Sequence, residues 1–202
     1  MTTSRVMRAS EVSGLPVVTI NGGDDVAEIK DVVFDGTNHR LVGFTLNKRG
    51  WFRGKLRQQL PASSVVAIGP DAVMVADDSD LEDPKVPLGD GESHAVLGNS
   101  VISADGSDLG NITGVVITTG KDPEAVGYEV DGNDGNSYFV PISAQMALSD
   151  NNLLIPESST DFIRNDLVGF GAAIDDHRKV LDTASKPQPG ASEAEPLGRT
   201  QA

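Results

Sequence analysis

The sequence predicts an all-β protein: two tandem small antiparallel β-barrels, then a short C-terminal helix and a disordered tail. Three observations predict this. The stretch Val26–Asp35 (VAEIKDVVFD), preceded by the turn NGGDD at Asn21–Asp25, recurs as Leu109–Thr118 (LGNITGVVIT) after ADGSD at Ala104–Asp108. The copies align without a gap, so Ile29 meets Ile112, Val32 meets Val115 and Val33 meets Val116. Aromatic residues make up only 4% of a chain holding 22 glycines, which suits short strands and tight turns. After Pro156 the apolar spacing changes from that of strands to that of a helix.

Each copy is small enough to be only marginally stable alone, so the two are expected to pack on each other or on another chain. The predicted organisation is a first barrel over 1–76, an acidic linker over 77–93 and a second barrel over 94–156. A helix over 157–182 and a disordered tail over 183–202 complete it.

Composition narrows the chemistry. There is no cysteine, so disulfides, thiolate metal sites and thiol catalysis are excluded. His39, His94 and His177 are scattered and form no ligand-like pair. No run of 18 apolar residues exists, and MTTSRVMRASEV lacks the apolar core of a signal peptide, so a cytoplasmic protein is expected.

The net charge of −14 is unevenly spread. Residues 1–75 carry 9 basic and 7 acidic side chains, whereas residues 76–156 carry 2 and 15. Such acidity argues against whole-surface binding to nucleic acid or anionic lipid but leaves room for a local basic patch on the first copy.

Taken in order, ASEVSGL (Ala9–Leu15) reads as a helical turn leading into a strand at Pro16–Ile20, where Pro16 is tolerable at the strand start. NGGDD supplies glycines for a hairpin, and its acidic residues read as turn chemistry rather than a metal loop. The long strand Val26–Asp35 alternates imperfectly. The second copy has Gly110 and Gly114 where the first has Ala27 and Asp31, which predicts a bend that serves both sides of a barrel.

GTNHR then turns the chain into LVGFTL (Leu41–Leu46), matched by AVGYEV (Ala125–Val130), with Gly43 opposite Gly127 and Phe44 opposite Tyr128. From Leu60-Pro61 and Val140-Pro141 onward each copy predicts a helical turn and a terminal hairpin around GPDA or SDNN. Ala76–Ser93 is acidic and rich in Pro and Gly, a solvated linker. Ile163, Leu167, Phe170, Ile174, His177 and Leu181 carry the period of an amphipathic helix, with Ser159 or Thr160 placed to cap it. Gly169 and Gly171 weaken that helix, so it must dock on the barrels or on a partner.

The order of these motifs resembles the PRC-barrel domain family, named for the photosynthetic reaction-centre H subunit and found also in the ribosome-maturation factor RimM. A helical lead is followed by the long glycine-punctuated strand, then L-V-G-F, then a hairpin closing on L-P-A-S. The resemblance spans residues 7–156 as two copies. Ala27 stands where the family has glycine, and the second lead, SHAVLGN, lacks a clear helical turn. The resemblance implies small, mostly antiparallel barrels acting as binding and assembly modules in RNA processing, membrane-complex assembly or archaeal cell division, without catalysis by the barrel.

The most unusual segment is the hairpin Leu46–Leu60, LNKRGWFRGKLRQQL. It gathers Lys48, Arg49, Arg53, Lys55 and Arg57 with no acidic residue, beside the single tryptophan Trp51 and Phe52. Its counterpart VDGNDGNSYFV is acidic, so the fold does not require basic character there. A basic-aromatic tip can hold phosphates while stacking a ring, enter an anionic membrane surface, or fill a pocket on a protein. Alternatively, the rings fold back onto a neighbouring barrel while the cations are solvated or pair with the acidic second copy.

Phosphate-loop and dinucleotide-binding motifs are absent, DGNDGN lacks the calcium-loop register, and no serine has a histidine placed by the sequence. The expectation is therefore a non-enzymatic assembly module with no cofactor and no metal. Its partner is expected to be a protein, with RNA or the ribosome and anionic membrane as rivals and a homodimer as a further possibility.

Overall fold

The computed structural model describes residues 5–49, 54–83, 96–149 and 151–184. It is mostly β, with two sheets and a C-terminal helix. The first half supplies β1 (Val6–Arg8), β2 (Pro16–Thr19), β3 (Asp25–Asp35), β4 (Arg40–Asn47), β5 (Lys55–Pro61), β6 (Val65–Ile68) and β7 (Val73–Val75). The second supplies β8 (Ser100–Ser103), β9 (Asp108–Thr118), β10 (Ala125–Asp131), β11 (Ser137–Pro141), β12 (Ala147–Leu148) and β13 (Asn152–Ile155). Two helices follow, α1 (Glu157–Thr160) and α2 (Leu167–Ala184).

The two sheets have one topology. The strand order β5-β4-β3-β2-β7-β6 in the first is repeated as β11-β10-β9-β8-β13-β12 in the second. Each has one parallel pair, β2 with β7 and β8 with β13, inside an otherwise antiparallel sheet. The repeat extends to single hydrogen bonds. Gly14 N–H donates to Ile29 C=O at 2.8 Å, and Gly98 N–H donates to Ile112 C=O at 2.8 Å. Both glycines sit at positive φ, +86° and +85°, where a Cβ would be strained. The lead of the second copy thus keeps the Val-x-Gly turn of the first, with Val12 and Val96 both fully buried.

The sheets do not close into barrels, which corrects the architecture expected from the sequence. Instead, each outer strand is latched by a single antiparallel bridge from the segment that leaves the sheet at its far side. Gln59 and Glu82 exchange two backbone bonds of 2.9 Å, and Phe139 and Arg164 exchange bonds of 2.7 and 3.1 Å. The segment read as a solvated linker therefore starts with structure. Asp77 caps a short 3-10 turn at Asp78–Asp80, Asp80 accepts from Asp77 N–H in return, and Leu81 is buried.

β1 leaves its own copy and pairs with β9 of the other, Met7 opposite Ile117. The halves are also tied by Ile68 N–H to Thr119 C=O (2.9 Å) and Asp122 N–H to Val65 C=O (3.1 Å). Phe34, Phe44 and Leu46 from the first sheet share one apolar cluster with Ile112, Tyr128 and Val130 from the second. This answers the stability problem of two small modules: their inner faces bury each other.

The C-terminal helix starts later than the apolar spacing implies. Asp166, not Ser159 or Thr160, caps it, its carboxylate accepting from Gly169 N–H at 2.7 Å. Ser159 lies in the separate turn α1 and is fully buried. α2 docks on the outer face of the second sheet, where Phe170 and Ile174 meet Val116, Val126 and Phe139. The Phe139 and Phe170 ring centroids are 5.7 Å apart. Among the described residues, no helix is long and apolar enough to cross a membrane.

Candidate functional site

The basic hairpin is built by β4 and β5, whose arms are held by Asn47 opposite Lys55 and by Lys48 N–H donating to Gly54 C=O at 2.8 Å. Trp51, Phe52 and Arg53, at its tip, lie outside the described residues. Lys55 is placed by its backbone in β5.

The cations at the base divide into two groups. Arg49 turns back onto β3: its Nε donates to Asp25 Oδ2 at 2.8 Å, its Nη2 reaches the same oxygen, and its Nη1 donates to Glu28 Oε2 at 3.3 Å. Hydrogen bonding to Asp25, followed by its charge, pushes the guanidinium pKa up, so Arg49 remains charged throughout the accessible pH range. Lys48 and Arg57 are exposed, with no carboxylate partner among the described residues. The pairing made by Arg49 is within its own copy and not with the acidic second copy.

The corresponding hairpin of the second copy closes on itself. Gly132 N–H donates to Asn136 C=O at 2.8 Å, and the Asp134 carboxylate accepts from Asn136 N–H and Nδ2–H at 3.1 and 2.7 Å and from the Tyr138 hydroxyl. These bonds, that from Tyr138 foremost, hold the Asp134 carboxyl below its ordinary pKa. Its acidic side chains serve the turn, whereas in Asn21–Asp25 the Asp24 backbone N–H donates to Thr19 Oγ1 at 3.0 Å and the Asp25 carboxylate faces Arg49. Among the described residues no group of three or more His, Asp or Glu could hold a metal ion.

Residues 4–82 match the PRC-barrel domain. The match takes in β1, the whole first sheet and the Glu82 bridge that latches β5, and it ends before the second sheet begins. No curated protein is significantly similar to the chain.

The sequence reading did not find the junction between the halves. Arg8 of β1 makes a two-pronged pair with Glu129 of β10 (2.8 and 2.7 Å) and lies over the Phe139 ring, 5.4 Å from its centroid. His39, in the β3–β4 turn, meets Tyr128 of the other copy. Both pairs join residues far apart in sequence, and neither belongs to a motif.

Proposed function

We propose that this chain is a non-enzymatic interaction and assembly module, a PRC-barrel adaptor that presents the basic hairpin of its first half to a macromolecular partner in the cytoplasm. PRC-barrel domains commonly mediate protein interactions, which favours a protein partner. In this reading the second sheet is a diverged copy of the same domain, supported by its identical strand order.

The observation that carries the proposal is the asymmetry between the two hairpins. Arg49 is spent on Asp25 and Glu28, while Lys48 and Arg57 flank the arms exposed. The equivalent acidic hairpin turns its carboxylate inward to Asn136 and Tyr138. Lys48, Arg49, Trp51, Phe52, Arg53, Lys55 and Arg57 are the residues assigned to the contact. No residue is assigned to catalysis, a cofactor or a metal.

The test is affinity purification of the full tagged chain from its native cells, with and without nuclease, read by mass spectrometry. A nuclease-resistant protein partner that is lost from Lys48→Ala/Arg57→Ala and from Trp51→Ala/Phe52→Ala is the expected result. Ribosomal proteins that vanish with nuclease would replace it with an RNA-associated role. Co-sedimentation with anionic vesicles that depends on Trp51 and Phe52 would replace it with a membrane role. Recovery of the chain alone would return the hairpin to a purely structural account.

A further inference from the structure

The backbone of β1 offers hydrogen bonds on the side away from the sheet. Thr119 N–H donates to Arg5 C=O at 3.0 Å while its own C=O accepts from Ile68 N–H, and with Val6 opposite Thr118 this parity makes Arg5 and Met7 the residues that bond to β9. Val6, between them, must then aim its N–H and C=O away from β9. Its opposite number Thr118 shows the same parity, donating its N–H outward to Glu124 C=O at 2.9 Å. Among the described residues, no backbone group meets Val6 on that outer side.

That edge borders a cleft of about 680 Å³. Val6 forms one wall, Ile68 at the end of β6 and Pro70 of the following turn another, and Leu167 and Val168 of the first turn of α2 the third. Val168 is 84% exposed there, although α2 is otherwise docked by its apolar face. Two charged residues border the cleft. Glu11 is engaged by Arg8 at 3.4 Å, whereas Arg5 has no acidic partner among the described residues.

We propose that this cleft binds a short extended peptide segment, mainly apolar and carrying one carboxylate, which adds as a strand to the outer edge of β1. A strand edge beside a helix supplies what strand addition requires: main-chain bonds from Val6 and apolar walls that receive alternate side chains. Arg5 supplies charge complementarity at one end, pairing with the carboxylate. The surface lies on different elements from the basic hairpin, and the proposal does not rest on the adaptor reading.

The test uses the full chain, 15N-labelled, titrated with the hexapeptide Glu-Val-Thr-Val-Thr-Val and with the same peptide N-methylated at alternate residues. Before peptide is added, the Val6 amide exchanges with solvent faster than the Met7 amide. Peptide then shifts the amides of Val6, Leu167 and Val168, and N-methylation weakens binding roughly tenfold or more, the effect of losing about one to two net hydrogen bonds. Val168→Asp changes an exposed side chain and keeps the fold while weakening binding. Val6→Pro removes the outward N–H without removing a bond to β9, a substitution edge strands accept, and it also weakens binding. A Val6 amide protected in the free chain would show the edge already occupied and overturn the proposal. So would shifts confined to other surfaces, no shifts at millimolar peptide, equal binding of the N-methylated peptide, or binding indifferent to Val168→Asp.

Discussion

The His39 Nδ1 and the Tyr128 hydroxyl meet at 2.5 Å, joining residues 89 positions apart across the two halves of the chain. Tyr128 is fully buried, and burial pushes its phenol pKa up, so it stays protonated. With no other acceptor for it among the described residues, the hydroxyl donates to Nδ1, which requires a neutral imidazole. Phe34 packs edge-on against the same tyrosine at 6.1 Å between centroids.

That requirement sets a pH dependence. Burial lowers the His39 pKa, the Asp35 charge opposing it, and burial also lowers that of His177, which is packed on Phe162. A depressed folded pKa favours the neutral form, so the stability is fully present above the unfolded value of about 6.5 and is lost as pH falls through the folded value. Urea midpoints at pH 7.5 and 5.5 should therefore differ, the lower pH being less stable. His39→Asn, which tolerates the positive φ, should reduce that difference. Tyr128→Phe should cost about 1 kcal/mol at pH 7.5, the value of one net hydrogen bond.

Gly110 has no room for a side chain. Its φ is +125°, and a Cβ there would lie 2.0 Å from Asp131 C=O, backbone that cannot swing aside. Gly110→Ala should destabilise the fold by roughly 1–3 kcal/mol or more. The first copy carries Ala27 at the same repeat position, fully buried. Ala27→Gly should consequently cost only about 1 kcal/mol, a comparison readable by denaturant melts of the two variants.

α2 is anchored by Phe170 over Gly127. A Cβ on Gly127 would sit 2.3 Å from Phe170 Cζ and 2.8 Å from Val140 C=O. Phe170→Ala should lose about 3–5 kcal/mol, and Gly127→Val should displace α2 without removing any of its own side chains. Far-ultraviolet circular dichroism and amide exchange along 167–180 would register both.

The Arg8–Glu129 pair holds β1 on the second sheet. The Arg8 side chain is 39% exposed and Glu129 16%, so solvent screens part of the attraction. Arg8→Met and Glu129→Gln should each cost about 1 kcal/mol, with a coupling energy of roughly 0.5–1 kcal/mol in a double-mutant cycle. Amide protection of Met7 should fall with either change.

Much of the first sheet was legible because its signals are local. The long strand, L-V-G-F and the turns at NGGDD and GPDA lie within a few residues of what determines them. The second lead was harder to read, yet its described residues Val96 and Gly98 reproduce the buried side chain and positive φ of Val12 and Gly14. The helix start was misread because Ile163 continues the apolar period by packing beside the core before the helix begins, while Asp166 alone can supply the cap. Of the candidate site, the sequence identified the basic hairpin, and the structure divided its base into Arg49, bound to β3, and Lys48 and Arg57, which are exposed.

By itself the sequence determined the succession of strands along the chain, the recurrence of one strand pattern and the charge division between the halves, since hydrophobic period, turn residues and repeat spacing act over short stretches. Tertiary structure alone decided that β1 joins the other half's sheet, that the sheets are latched rather than closed, and that α2 covers the second sheet and not the first. A three-residue strand such as Val6–Arg8 can extend any free edge. Which edge it takes depends on Arg8 finding Glu129 and on Val6 finding α2, contacts between residues the chain keeps far apart.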